Sequence, residues 1–379
     1  MNTILALGFT SLFTDVGTEM IFPLLPAFLA TLGAGPAFLG LLEGAADATA
    51  ALLKLQSGRL ADQQRRRKPF VVFGYGLASA IRPLVGLATL PWQVFAIRVT
   101  DRIGKGLRSS PRDLMIAEAA PEGQAGRAFG IHNAMDHAGA LLGPVIATAL
   151  LAAGVPLRTV FLGAFVPGLL AVFAVSFAKE TAPQAPQAPP VGAKPAKIPL
   201  PPVLKRYLGV LAFFSLGNSS DILLILRAQD LGVKLSAVPL LWALLSLSKM
   251  LSAAYGGGLS DRVPRRRLII LGWLVFALTY LGFVLATEAW QAWALFAVYG
   301  AYHGLTEPVE KALVKDLAPE EARGRAYGLY NFWSGIMALV AGVLCGALWQ
   351  SLGAGVALGF GAATALCSAI ALPAYVFRK

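Results

Sequence analysis

The chain has 379 residues, of which 56% are hydrophobic and 14% charged, with a formal net charge of +12 and a mean hydropathy of +0.66. Soluble domains carry about 25% charged residues, so this chain has too little charge to clothe a water-facing surface, and water-soluble enzyme classes are largely excluded. Its 40 glycines and 24 prolines are scattered through apolar runs, which fits helices in lipid rather than disorder.

A helix needs about 20 apolar residues to cross the hydrocarbon core. Apolar runs between charged or Pro/Gly breaks predict twelve spans, near 4–31, 36–57, 70–90, 92–110, 127–152, 157–178, 204–226, 236–256, 268–287, 290–311, 325–349 and 353–376. The first run is too long for the apolar region of a cleavable signal peptide. Connections after even-numbered spans hold the basic residues: Arg59 to Lys68, Arg112 to Arg127, Lys179 to Arg206, Arg262 to Arg267 and Lys311 to Arg325. Those after odd-numbered spans hold little beyond Arg158, Arg227 and Lys234. Lys and Arg gather in short cytoplasmic loops, so both termini are expected in the cytoplasm, with the protein in the cytoplasmic (inner) membrane. The same bias explains Arg65-Arg66-Arg67-Lys68 and Arg265-Arg266-Arg267 without nucleic acid as a partner.

The stretch 179–203 is rich in Pro, as in an extended linker. The expected organisation is an N-terminal six-helix bundle over 1–178, a cytoplasmic linker over 179–203 and a C-terminal six-helix bundle over 204–379. Cys345 and Cys367 have no metal-site spacing, and neither a resident cofactor nor a metal is expected.

An ionised side chain at mid-bilayer is costly unless paired or hydrated, so each one is a functional candidate. Asp15 and Glu19 share a face of span 1, and Glu43 and Asp47 a face of span 2. Span 4 carries Arg98, Asp101, Arg102, Lys105 and Arg108 along one side; span 5 has His132 and Asp136; span 10 has His303, Glu307 and Glu310. Arg98, Asp101 and Arg102 either neutralise acids on neighbouring spans or line a solute path. Asp15, Glu19, Glu43, Asp47 and Asp136 are harder to read as braces, because acids outnumber deep cationic partners. Arg82-Pro83 reads as a kink with a buried partner. His132 and Asp136, four residues apart, could pass protons. The C-terminal half contributes Asn218, Ser219, Asp221, Lys249, Tyr299, Tyr302, His303, Asn331 and Trp333. The expected division of labour is coupling in the acidic N-terminal half and shape recognition in the C-terminal half.

The halves match at a nearly constant offset. Gly58-x-x-x-Asp62 followed by Arg66-Arg67-Lys68 returns 199 residues later (257 − 58) as Gly257-x-x-x-Asp261 followed by Arg265-Arg266-Arg267. Gly126-Arg127-Ala128-Phe129-Gly130 returns 198 residues later (324 − 126) as Gly324-Arg325-Ala326-Tyr327-Gly328. Each pair occupies corresponding loops, after the second and fourth spans of its half.

With this repeat the sequence resembles the major facilitator superfamily. The doubled G-x-x-x-D…R-R-[RK] loop looks like that family's signature between its second and third helices. Gly130, Gly139, Gly143 and Pro144 follow a pattern associated with its antiporter branch, although Ala147-Thr148 stands where a Gly-Gly pair is usual. The resemblance implies an all-α integral membrane fold of twelve transmembrane helices in two pseudo-symmetric six-helix bundles, and a bacterial secondary transporter of drug or metabolite efflux type.

Gly58, Asp62, Arg66, Gly257, Asp261 and Arg265 are expected to form a conformational latch. Each aspartate would face the N-terminus of a helix in the opposite half and lock the halves on the cytoplasmic side; topogenic charge alone would explain the arginines but not the spaced Gly and Asp. Gly139 and Gly143 permit close helix packing and Pro144 a kink. The leading functional expectation is alternating-access export of a small organic compound or cation, coupled to protons, by a monomer in the lipid bilayer. Uptake of an anionic metabolite by proton symport, through Arg82, Arg98, Arg102 and Lys249, is the alternative, as is export of a metal or metal chelate. No phosphate-binding loop, H-E-x-x-H or G-x-S-x-G motif is present, so no enzymatic activity is expected.

Overall fold

The structure, a computed structural model, describes residues 3–34, 36–63, 66–180, 199–218, 221–234 and 237–377. Most of the Pro-rich stretch (181–198), together with Arg65 and Ser219, lies outside the described residues. Among the described residues there are fifteen α-helices and no β-strand.

Twelve spans assemble from these fifteen helices because three spans are broken. Span 1 is α1 (Thr3–Glu19) and α2 (Leu25–Thr31), span 6 is α7 (Leu157–Gly163) and α8 (Phe165–Ser176), and span 7 is α9 (Pro202–Gly217) and α10 (Asp221–Asp230). Proline sets two of these breaks. Pro23 and Pro167 have no N–H to donate to the carbonyls of Glu19 and Gly163, where α1 and α7 end. Pro83 acts similarly on α4 (Lys68–Ile81), beyond which Arg82–Leu87 tightens into a 3-10 turn. The remaining helices are α3 (Pro36–Gln63), α5 (Pro91–Ala119), α6 (Ala125–Ala152), α11 (Val238–Leu259), α12 (Arg265–Leu285), α13 (Ala289–Leu317), α14 (Arg323–Leu352) and α15 (Ala354–Ala371).

Large apolar side chains face outward along these helices: Phe73, Trp92, Phe173, Leu240, Leu278 and Val343 are each more than half exposed. Water would not tolerate such a surface on a monomer; acyl chains do. Seven spans among the described residues are long and apolar enough to cross a membrane on composition alone. Helices α3, α5 and α13 are not among them, because they carry the charged stripes.

Packing groups the chain into two units. The first comprises Met1–Glu122, Gly139–Pro201 and Val314–Phe332. In it α3 and α4 both pack on α5, and α8 packs on α1 and α4. Helices α4 and α5 meet at glycines: a Cβ on Gly74 would stand 2.5 Å from the Gly104 carbonyl. Gly143 of α6 seats against α1, where a Cβ would stand 2.7 Å from that of Glu19, and Gly139 sits against the Leu12 carbonyl.

The second unit comprises Gly123–Ala138, Pro202–Leu313 and Trp333–Lys379. In it α15 packs on α9 and α12. Its centre is aromatic: Phe214 stacks on Trp273 at 4.9 Å, Phe276 on Tyr280 at 4.0 Å, and Tyr299 on Tyr302 at 5.7 Å. Tyr299 and Tyr302 are therefore core residues by their rings, which also meet the His303 imidazole, while their hydroxyls reach Asp221 and Asn218.

Candidate functional site

In the first unit the basic stripe of α5 lies against the acids of α3. Arg98 donates from Nε and Nη2 to the two carboxylate oxygens of Glu43, both at 3.1 Å. Arg102 Nε lies 3.8 Å from Asp47. Arg82 donates to Asp101 at 2.6 Å and to the Thr14 carbonyl at 2.8 Å, so the kink at Arg82-Pro83 does have a buried partner. Arg98 also approaches Asp101 at 3.8 Å. Glu19 lies within electrostatic reach of Arg98, Lys105 and Arg102.

This corrects one expectation. Glu43 is braced and Asp47, its side chain 59% exposed, faces Arg102, because the arginines of α5 project towards α3; counting acids and bases helix by helix hides that facing. A cavity of about 20 Å³ borders Arg82, Arg98 and Asp101, room for a single water. Asp15 and Asp136 also have interactions of their own. Towards the far end of α5, Asp113 is wholly buried, held by Arg112 at 3.0 Å and by Asn331 at 3.1 Å.

In the second unit two further networks stand on α13. Tyr299 donates to Asp221 at 2.9 Å, and Lys249 donates to the other oxygen of Asp221 at 2.8 Å. Asn218 donates to the Tyr302 hydroxyl at 3.0 Å. One turn further along, Glu307 is bonded to His303 Nδ1 at 2.7 Å and to Asn133 Nδ2 at 3.2 Å, with His137 Nε2 3.5 Å away. His132 is buried, with Nδ1 3.4 Å from Asn133 Oδ1. Sequence reasoning placed His132 and Asp136 in a pathway and missed His137 and Asn133. The available signal was their spacing, since Asn133 and His137 share one face of α6.

The glycine–aspartate repeats meet reciprocally. Asp62, at the end of α3, accepts from the backbone N–H groups of Gly324 and Arg325, each at 2.6 Å, within the first unit. Asp261, just beyond α11, accepts from those of Gly126 and Arg127, at 2.9 and 2.8 Å, within the second. Each carboxylate thus caps the first turn of a helix, where unpaired N–H groups and the helix dipole favour an anion.

Glycine permits the approach. A Cβ on Gly58 would stand 2.6 Å from Cα of Gly328, and one on Gly257 would stand 2.6 Å from Cα of Gly130. Arg265 lies 3.5 Å from Asp261, whereas Arg66 is exposed. Burial pushes the Asp62 carboxyl up to about 6, against the opposing pull of the two backbone N–H groups. Nearby, burial also raises Glu118, which pairs with Arg67 at 2.7 Å.

Comparison with known proteins follows this geometry. The family model of the Major Facilitator Superfamily matches residues 7–226 and 207–379. An uncharacterised MFS-type transporter of Methanocaldococcus jannaschii is 33% identical over 351 residues, covering 91% of this chain and 87% of that one. A multidrug resistance efflux pump of Streptococcus pneumoniae is 26% identical over 356 residues, covering 88% of this chain and 86% of that one. Among solved structures, the human organic anion transporter MFSD10 superposes with a TM-score of 0.82 at 13% identity, covering 98% of this chain and 99% of that one. That likeness concerns the fold alone.

Proposed function

The chain belongs to the Major Facilitator Superfamily, and from that premise we propose that it exports a small organic compound or cation across the cytoplasmic membrane in exchange for protons. As a family member it is a secondary transporter embedded in the bilayer. The observation that carries the reading is Glu307, a carboxylate held by one imidazole and an amide with a second imidazole 3.5 Å away. Arginine stays charged at every accessible pH, so the Arg–carboxylate pairs on α3 and α5 neutralise charge without offering a titrating partner. Histidine titrates near neutrality. Glu307, bonded to His303, is the group this reading assigns to proton uptake and release during a transport cycle. In this reading coupling sits on α13 and α6 rather than on the acidic N-terminal helices.

The efflux direction is supported by similarity, over 88% of this chain, to a protein named as a multidrug resistance efflux pump. Anion uptake is less well supported, since Arg82, Arg98 and Lys249 each already hold a carboxylate and Arg102 lies 3.8 Å from one. In this reading both termini and both glycine–aspartate latches face the cytoplasm, and the latches hold that side closed while the opposite side is open.

Vesicles with an imposed pH gradient of either sign test the proposal, using fluorescent organic cations as probes. Wild-type protein should move the probe against its gradient only when protons run the opposite way. Glu307→Gln should abolish that drive while leaving probe binding in place. Gradient-driven flux that survives in Glu307→Gln refutes the assignment.

A further inference from the structure

One open concavity in the second unit serves neither the Glu307 network nor the Asp221 network. A groove of about 670 Å³ lies between the start of α6 and the end of α11, lined by Gln124, Arg127, Tyr255, Leu259, Asp261 and Arg262 among others. Asp261 is committed to the backbone N–H groups of Gly126 and Arg127, with Arg265 alongside. It therefore leaves the Arg127 and Arg262 guanidinium groups unneutralised. Both side chains are exposed, and among the described residues neither guanidinium has a recorded protein partner. Two forked, permanently charged donors beside one concavity suit a phosphate.

The groove is also amphipathic in a directed way. Tyr255 is 79% exposed and Leu259 43%, and Leu240, Leu247 and Leu251 continue the exposed apolar side chains back along α11. A basic pocket at the mouth of an exposed apolar stripe, at the end of a membrane-spanning helix, matches a ligand with an anionic head and an acyl tail. We propose that this groove binds an anionic glycerophospholipid, with its phosphate on Arg127 and Arg262 and an acyl chain along Leu251, Tyr255 and Leu259. Because Arg127 contributes its backbone N–H to Asp261 and its side chain to the groove, the bound headgroup fastens the start of α6 where Asp261 caps it. The proposal rests on the membrane setting of the fold and is independent of what is exported.

The test uses full-length protein purified in neutral detergent. Retention of phosphatidylglycerol against phosphatidylcholine is read by native mass spectrometry, and the matching protection by thermal shift. Wild type should prefer phosphatidylglycerol. The double variant Arg127→Gln/Arg262→Gln should weaken that preference about thirtyfold, and each single variant about fivefold, from the usual contribution of one basic residue at a lipid surface. The single variants carry the test if the double variant folds poorly. Arg59→Gln/Arg267→Gln, which removes two exposed charges elsewhere, should retain the preference. Equal loss in that control would reduce the effect to general surface charge and overturn the site. So would the absence of any phosphatidylglycerol preference. Protection by soluble glycerol phosphate as strong as by the lipid would overturn the assignment to a lipid.

Discussion

Substituting Asn for Asp62 changes one atom and removes one acceptor. Both carboxylate oxygens are in use, on the N–H groups of Gly324 and Arg325 at 2.6 Å each. The amide can serve one of them and turns an NH2 towards the other. A buried N–H left unpaired costs about 1–3 kcal/mol, which weakens the capped arrangement roughly 5- to 150-fold. Acidity acts through the same group. The capped carboxyl sits at about 6 against an ordinary 3.8, so the capped state takes up a proton before an exposed one does. Well above pH 6 both are ionised and the balance is flat; as pH falls through 6 towards 4, the capped state gains. Between pH 7 and pH 5 the gain is on the order of tenfold, or about 1 kcal/mol.

Hydrogen–deuterium exchange of the peptide spanning 323–328 reads this directly, because it contains the two donating amides. After correction for intrinsic exchange, wild-type protection should rise on the order of tenfold on acidification to pH 5. Asp62→Asn should lower protection at pH 7 and abolish the pH slope. Asp261→Asn should leave 323–328 unchanged and loosen 126–131. A slope that persists in Asp62→Asn, or protection that falls as pH falls, would refute the linkage.

Removing one partner of a buried ion pair strands the other. Arg82→Met leaves Asp101, only 2% exposed, without its shortest contact and should cost about 3–5 kcal/mol, read as a lowered unfolding midpoint in detergent. The paired change Arg82→Met/Asp101→Leu should recover most of that loss, and no recovery would mean the cost came from packing. Gly257→Val places a methyl-bearing Cβ 2.6 Å from Cα of Gly130 and should destabilise by about 1–3 kcal/mol. Gly44→Ala, where the space is open, should be neutral or stabilising by the helix preference of alanine, about 0.5–1 kcal/mol. If both substitutions behave alike, close helix approach is not what Gly257 provides.

The span count was legible because twenty-residue apolar length survives any detail of packing, and Pro23, Pro83 and Pro167 mark where spans break. Helix ends outside the lipid were not legible, since hydropathy stops reporting there. Span 4 reads as ending near 110, yet α5 runs to Ala119, and this turns Asp113 from a loop residue into a wholly buried one. Stripes were legible and their partners were not. Period 3.6 puts Arg98 and Arg102 on one face of α5 but says nothing about which helix that face meets, so Glu43 and Asp47 looked unpaired. His137 was hidden for a similar reason: its partner, Glu307, lies on another helix far along the chain.

The two glycine–aspartate motifs show the same limit in its sharpest form. Offsets of 199 and 198 establish that each half carries one capping carboxylate and one glycine-rich helix start. Loops after the second and fourth spans lie on one side of the membrane, so Asp62 could cap residue 126 of its own half or residue 324 of the other without violating topology. Helix-dipole attraction does not discriminate between these ends, which are nearly identical in sequence. What discriminates is backbone approach: Gly58 meets Gly328, and Gly257 meets Gly130, at distances that no side chain would permit. Each carboxylate is thereby delivered to the helix start contributed by the other half of the sequence.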